Sequence, residues 1–170
     1  MTAPRRAMLF LDRDGTLMKD VGYPNDPAQV RLLPGAAEAV RDLVGLGFVP
    51  AVVSNQSGLA RGLVTPEQAK AVHERFVELF EAASGVRLPC YYCPHGPDDG
   101  CDCRKPLPGL LHRAAAELGM AGQPGVMVGD KPADVEAGRN AGMAGCRFAG
   151  DWVATAGALR EWLGSLGGPA

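Results

Sequence analysis

The sequence predicts an α/β fold with a mainly parallel sheet, and three observations carry that expectation. Short apolar runs of strand length alternate with segments of helical periodicity along the chain. Residue types that do chemistry cluster just after several of those runs, where ligands gather in such folds. The chain has 170 residues, 46% apolar and 21% charged, enough for one domain with its own core. A single domain spanning 1–170 is therefore expected.

The elements follow in order. Residues 8–11 (MLFL) predict a short buried strand. Pro34-Gly35 opens a helical pattern with Ala37, Val40, Leu43 and Val44 on one face, ending near Gly47. Residues 48–53 (FVPAVV) form a second strand, with Pro50 predicting irregularity at its start. Thr65-Pro66-Glu67-Gln68 is a helix start: a capping threonine, proline in the first turn, glutamine three residues on. That helix runs through Val72, Phe76, Leu79 and Phe80 to Gly85. Strands are expected at 86–92, 126–128 and 145–148, and helices at 110–118, 133–141 and 152–166. The closing helix carries Trp152 and Trp162, which can pack on its own sheet or on a partner. The tail from Gly164 (GSLGGPA) is expected to fray.

Bulk properties narrow the function classes. A net charge of −2 offers no broad basic face for nucleic acid. No run approaches the ~18 apolar residues of a membrane span. The opening MTAPRRAMLFLDRDG has an apolar stretch too short for a secretory signal. A cytoplasmic chain is expected, and there five cysteines point to metal or catalysis before disulfides.

Three polar clusters fall at strand ends: Asp12 and Asp14, then Ser54-Asn55-Gln56, then Gly129-Asp130. Two carboxylates one residue apart repel, and a fold keeps them with a cation or a task. Asp12, Asp14 and Asp130 together make a hard, oxygen-lined pocket that suits Mg²⁺. Such an ion removes the repulsion and neutralises a phosphate. Ser54 can donate to a phosphate oxygen and Lys105 can supply positive charge. Aspartate attacks phosphorus covalently, so one acid of the pair attacks while the other shuttles a proton. A calcium loop is excluded: it needs glycine sixth and glutamate twelfth, whereas glycine stands fourth here and Tyr23 twelfth.

The stretch CPHGPDDGCDC (93–103) predicts a second metal. Cys93, His95, Cys101 and Cys103 supply three thiolates and an imidazole, a closed tetrahedral set for structural zinc. A Cys93–Cys101 disulfide is the alternative, disfavoured by the compartment. The zinc loop lies within 90–105 and runs directly into Arg104 and Lys105, so its expected task is to aim those cations. Cys90 and Cys146 read as ordinary strand residues, and His73 and His112 receive no role.

Four ordered segments, DRDGTL (12–17), SNQSG (54–58), RKP (104–106) and GDKPAD (129–134), resemble the motifs of the haloacid dehalogenase superfamily of phosphohydrolases. The resemblance implies a Rossmann-like three-layer sandwich and assigns roles. Asp12 would be the nucleophile that becomes an aspartyl-phosphate. Asp14 would protonate the leaving oxygen, activate water and bind Mg²⁺ through its carbonyl, and Thr16 would orient the site. Ser54 and Lys105 would hold the phosphoryl group, Asp130 would bind Mg²⁺, and Asp134 would orient Lys105 or a metal-bound water. Neither interval where the superfamily inserts a cap leaves room for one, so a capless, open site is implied.

Within the zinc-loop members the chain is similar to the D-glycero-D-manno-heptose 1,7-bisphosphate phosphatases in Gly22-Tyr23, NQSGLARG (55–62), YYCPH (91–95) and CDCRKPLPG (101–109). Its short zinc loop looks closer to the histidinol-phosphate phosphatases. The implied activity is Mg²⁺-dependent removal of the 7-phosphate of the heptose bisphosphate in nucleotide-heptose synthesis. The alternatives are histidinol-phosphate hydrolysis, a catalytically silent phosphosugar-binding module, and a nucleic-acid 3′-phosphatase weakened by the acidic balance. A bisphosphate needs cations beyond the reacting group, for which Arg61 and Arg104 are candidates, while Asn55 would bond sugar hydroxyls. A monomer acting on a small sugar bisphosphate, without nucleic-acid or membrane partners, is expected.

Overall fold

A computed structural model describes residues 6–167. Its centre is the run Ala7–Leu11 (β1), five residues that are all buried. Side chains alternate across a strand, so Leu9 and Leu11 face one way and Met8 and Phe10 the other, and each set meets its own core. The parallel partners are Phe48–Asn55 (β2) on one side and Gly125–Gly129 (β4) on the other. Cys90–Cys93 (β3) lies outside β2 and Ala144–Arg147 (β5) outside β4, giving the order β3-β2-β1-β4-β5.

Helices cover both faces. Ala36–Gly45 (α1), Pro66–Ser84 (α2) and Trp152–Ser165 (α5) lie with Leu9 and Leu11. Gly109–Glu117 (α3) and Pro132–Asn140 (α4) lie with Met8 and Phe10. The expected three-layer, mainly parallel α/β sandwich is thus what forms, with no inserted cap domain among the described residues. Both tryptophans of α5 serve its own sheet: Trp162 stacks on Phe48 at 6.1 Å, and Trp152 Nε1 donates to the Thr16 carbonyl at 2.8 Å. No described helix is long and apolar enough to cross a membrane.

The chain winds outward from β1 to β3, then returns to build β4 and β5 on the other side. The crevice between the carboxyl ends of β1 and β4 is where this order reverses. Leu11 is level with both Val52 and Val128, so the residues following β1, β2 and β4 emerge side by side.

Several details differ from expectation. β3 begins at Cys90 rather than 86: Gly85 ends α2 in a left-handed conformation, and Pro89 lacks an N–H for the ladder. β2 is regular through Pro50, because pairing with β3 starts only at Val52 and the missing N–H deprives no partner. A short 3₁₀ turn at Pro27–Gln29, absent from the sequence reading, carries a capping box from Asp26. Of the tail expected to fray, Gly164 and Ser165 form the last turn of α5, and residues 168–170 lie outside the described residues.

Candidate active site and metal centre

The loop after β1 is the floor of the site. Asp12 N–H donates to the Val128 carbonyl at 2.9 Å, tying the start of this loop to β4. The Arg13 carbonyl then accepts from the N–H groups of Thr16, Leu17 and Met18, which turns the chain back sharply. Gly15 makes the turn possible at φ +81°, and a Cβ there would stand 2.5 Å from Asp130 Oδ2. The missing side chain is what lets the β4 end approach the β1 end.

Lys105 reaches into this floor from the loop before α3 and is only 4% exposed. Its Nζ lies 2.9 Å from Asp12 Oδ1, 2.6 Å from Asp134 Oδ1 and 2.7 Å from the Val53 carbonyl. Burial alone would lower its pKa, but the charges of Asp12 and Asp134 outweigh burial and raise it. Asp134 sits in the first turn of α4, where its other oxygen accepts from Lys131 N–H at 2.9 Å. Burial pushes the Asp134 carboxyl up against the opposing pull of Lys105. Gly129 leaves the space Asp134 occupies, since a Cβ there would overlap the carboxylate.

Carboxylate oxygens of Asp12, Asp130 and Asp134 lie within 4.8 Å of one another. Burial, and next the charge of Asp12, raise the Asp130 carboxyl, the signature of acids gathered where a cation belongs. Both Asp134 oxygens are committed to Lys105 and Lys131, so Asp12 and Asp130 are the donors left for a hard ion, and they fit Mg²⁺. Thr16, fully buried, donates to Asp130 Oδ1 at 3.4 Å. The Asp14 carboxylate turns to the wall instead, held by Arg13 Nη2 at 3.1 Å and Gln56 Nε2 at 2.8 Å.

A cavity of about 410 Å³ opens over this floor, lined among others by Asp12, Asp14, Ser54, Asn55, Arg104 and Lys105. Ser54 Oγ accepts from Gln56 Nε2 at 2.9 Å. The two other expected substrate contacts are placed differently. Arg61 is exposed and does not line the cavity, because the turn through 57–62 directs it outward. Asn55 lines the cavity and bonds the Lys105 peptide with both ends of its amide, each at 3.0 Å.

Several residues of the site were not read from the sequence. Arg13, 2% exposed, lies over the Tyr92 ring at 5.2 Å as well as binding Asp14 and Gln56. Tyr92 OH in turn meets His73 Nδ1 at 2.9 Å, and burial, then the charge of Arg13, lowers the His73 pKa. Lys131 lines the cavity beside Asp130, with Nζ 3.6 Å from Asp20. The signals were present: an arginine between two acids in DRD, and a lysine directly after the aspartate in GDK.

The second centre lies where β3 ends. Sγ of Cys93 is 3.4 Å from His95 Nδ1, 3.3 Å from Cys103 Sγ and 3.8 Å from Cys101 Sγ, and His95 Nδ1 is 3.3 Å from Cys103 Sγ. A tetrahedral zinc with bonds of ~2.3 Å to sulfur and ~2.0 Å to nitrogen sets donor separations of ~3.8 and ~3.5 Å, so the four donors fit one. All five cysteines are unpaired. Without a cation the thiols do not ionise together. Burial, then a hydrogen bond with Cys103, pushes Cys93 up to about 12, while backbone N–H groups of Arg104 and Cys103 overcome burial and bring Cys101 down to about 7. Arg104 Nη1 donates to the His95 carbonyl at 3.3 Å, joining this centre to the cavity.

Comparison with known proteins agrees with this geometry. Residues 19–142 match the family model of haloacid dehalogenase-like hydrolases. The chain is 42% identical over 137 residues to D-glycero-beta-D-manno-heptose-1,7-bisphosphate 7-phosphatase of Yersinia pestis, covering 76% of this chain and 72% of that protein. It is 36% identical over 165 residues to the Bordetella bronchiseptica protein of the same name, covering 95% and 88%. A crystal structure of D,D-heptose 1,7-bisphosphate phosphatase from B. bronchiseptica, complexed with magnesium and phosphate, superposes with a TM-score of 0.79 at 32% identity, covering 92% of this chain and 99% of that one.

Proposed function

The chain belongs to the haloacid dehalogenase-like hydrolases and is a phosphoric monoester hydrolase, and from that premise we propose that it removes the 7-phosphate of D-glycero-D-manno-heptose 1,7-bisphosphate through an aspartyl-phosphate on Asp12. One observation carries the chemistry: Asp12, at the end of β1, shares Lys105 with Asp134 while Asp130 stands beside it. The relatives named above carry the substrate.

In this reading an oxygen of Asp12 attacks phosphorus as the bond to the sugar O7 breaks. Asp14, which lines the cavity, turns from Arg13 and Gln56 to deliver a proton to that leaving oxygen. Water, giving its proton to Asp14, then attacks phosphorus, releases phosphate and restores the Asp12 carboxylate. Lys105 holds Asp12 Oδ1 and with Ser54 balances the charge on the phosphoryl oxygens. Asp12 and Asp130, with the Asp14 carbonyl, would hold Mg²⁺, which when bound draws charge from the phosphoryl group. Cys93, His95, Cys101 and Cys103 would hold structural zinc. Arg104, at the cavity wall, would take the phosphate that does not react. Unpaired thiols fit a reducing cytoplasm, and the chain acts there as a monomer on nucleotide-heptose precursors.

The test is phosphate release with Mg²⁺ from both anomers of the heptose bisphosphate and from histidinol phosphate, with Asp12→Asn as blank. A kcat/KM at least ~10-fold higher for a heptose anomer, a margin of about 1.4 kcal/mol, is expected. Preference for histidinol phosphate would overturn the substrate assignment and give weight to the short 96–100 stretch between His95 and Cys101.

A further inference from the structure

We infer that Asn55 and Asn140 are positioning residues for Lys105, two side-chain amides that fasten consecutive peptide groups of the lysine loop to the end of β2 and the end of α4. Asn55 Nδ2 donates to the Lys105 carbonyl and Asn55 Oδ1 accepts from the Lys105 N–H, both at 3.0 Å. One residue on, Asn140 Nδ2 donates to the Pro106 carbonyl at 2.9 Å.

The arrangement is selective for asparagine. A side chain that gives to a carbonyl and takes from an N–H of the same residue does what a neighbouring strand does, and it needs an amide of the right reach. Aspartate keeps the acceptor but sets a second acceptor against the Lys105 carbonyl. Serine has a single oxygen, and glutamine is one methylene too long.

The need for such a clamp arises from the task of Lys105. Residues 94–108 contain no helix or strand, so no ladder fixes the lysine backbone. A lysine side chain loses roughly 1.5–2 kcal/mol of rotamer freedom on burial, and its ammonium must still meet Asp12, Asp134 and Val53 at once. β2 therefore grips Lys105 twice, by the Val53 carbonyl at the ammonium and by Asn55 at the peptide. Asn140 adds a hold from α4, the helix that carries Asp134. A zinc held by Cys93, His95, Cys101 and Cys103 would order the loop up to Cys103, and the two amides order Lys105 and Pro106 beyond it.

The kinetic part of the test rests on the phosphatase reading, and the labelling part does not. Native protein, Asn55→Asp, Asn55→Ser and Asn140→Ala are each acetylated with an N-hydroxysuccinimide ester. The rate at Lys105 is read by peptide mass spectrometry against the exposed Lys70 on α2. In parallel kcat and KM are measured on heptose 1,7-bisphosphate and p-nitrophenyl phosphate. In Asn55→Asp, Lys105 labelling is expected to rise at least ~10-fold relative to Lys70. The same variant should lose roughly 10- to 100-fold in kcat with KM within about threefold, as displacement of a reacting group by about 1 Å does. Asn140→Ala should show the same pattern at smaller size. If Asn55→Asp does not fold, Asn55→Ser and Asn140→Ala decide by the same labelling ratio. Unchanged Lys105 labelling in the folded variants, or a rise in KM alone, would overturn the inference and return Asn55 to sugar binding. If the native protein releases phosphate from neither ester, the phosphatase reading fails, while the labelling ratio still decides the clamp.

Discussion

Lys105 stands on the seam between two regions built by opposite means. Toward the sheet, Asp12, Ser54 and Asp130 extend from strands whose apolar residues are buried on both faces, so the order of the site is inherited from the core. Toward the loop, residues 94–108 have neither helix nor strand, and their order comes from donor atoms: three thiols, an imidazole, and the amides of Asn55 and Asn140. The sheet end resists changes that leave its packing intact and fails chemically. The loop end fails structurally when a donor is lost. On the proposed mechanism, the difference separates residues that react from residues that aim.

The sharpest way to break this comparison is Asp12→Asn. The side chain is nearly isosteric and can still accept from Lys105, so far-UV circular dichroism and melting should stay close to native. Turnover should fall by at least ~10⁴-fold, because the attacking carboxylate is gone. A rate within ~100-fold of native, measured as phosphate release, would remove Asp12 as nucleophile.

Next in size is the loop. Cys101→Ser removes one of the four donors that would hold zinc, and loss of a structural metal belongs to the large destabilising class, of order 3 kcal/mol. The melting temperature should drop by roughly 6–12 °C and bound zinc, measured by plasma emission, should fall below one per chain. Unlike Asp12→Asn, this variant should lose stability and rate together. Native zinc content and an unchanged melt would break the contrast between the two regions.

Gly15→Ala probes where sheet ends meet. The left-handed φ of +81° and the 2.5 Å approach of a Cβ to Asp130 both oppose a side chain. A loss of about 1–3 kcal/mol in stability and roughly 10-fold weaker Mg²⁺ activation are expected, read from denaturant melts and Mg²⁺ titration of the rate.

The two regions were not equally legible in the sequence. The strand-end acids could be read because a parallel α/β order brings strand ends together whatever the details, so Asp12 and Asp130 followed from topology. The metal donors could be read because four of them crowd 93–103. What depended on side-chain direction was lost. Asn55 and Asp14 lie in the right place, but pattern alone does not say that one faces a peptide and the other an arginine. Arg13 received no role in the sequence reading, although a buried guanidinium over Tyr92 organises the wall. Asp26-Pro27-Ala28-Gln29 carries the same capping signal as Thr65-Pro66-Glu67-Gln68, yet only the second precedes an apolar helical run, so only the second was read. Strand β3 was drawn too long because an apolar run does not reveal which of its residues has a partner.

A smaller effect comes from charge at the sheet end. The Asp130 carboxyl is raised by burial and then by Asp12, so between the ordinary aspartate value of ~3.9 and the raised one the folded chain binds more protons than the unfolded chain. This group's contribution to stability therefore falls as pH rises through that window. Mg²⁺ held by Asp130 would bind the ionised form and reverse the loss. At ~100 times its dissociation constant Mg²⁺ should raise the melting temperature by about 5–10 °C at pH 7.5, and by clearly less as pH falls toward the raised value. Equal shifts across that range would deny Asp130 to the metal.

The smallest expected effect sharpens the comparison within the cations themselves. Arg61 and Arg104 look alike in sequence, each a guanidinium near a recognised motif. Arg104 is half-buried at the cavity wall, with Nη1 on the His95 carbonyl, so the metal loop fixes its direction. Arg61 is exposed, and its backbone N–H is spent on Ser57 in the turn. A guanidinium free in solvent loses its rotamer entropy on meeting a phosphate and is screened within a Debye length of ~8 Å, whereas one held in place has met that cost on folding. Arg104→Ala should therefore raise KM for the bisphosphate by about 10-fold or more while leaving p-nitrophenyl phosphate, which has no second phosphate, within about twofold. Arg61→Ala should leave both substrates within about twofold. If Arg61→Ala raised KM for the bisphosphate as much as Arg104→Ala, preset direction would not be what makes a cation useful here, and the loop's part in aiming charge would fall with it.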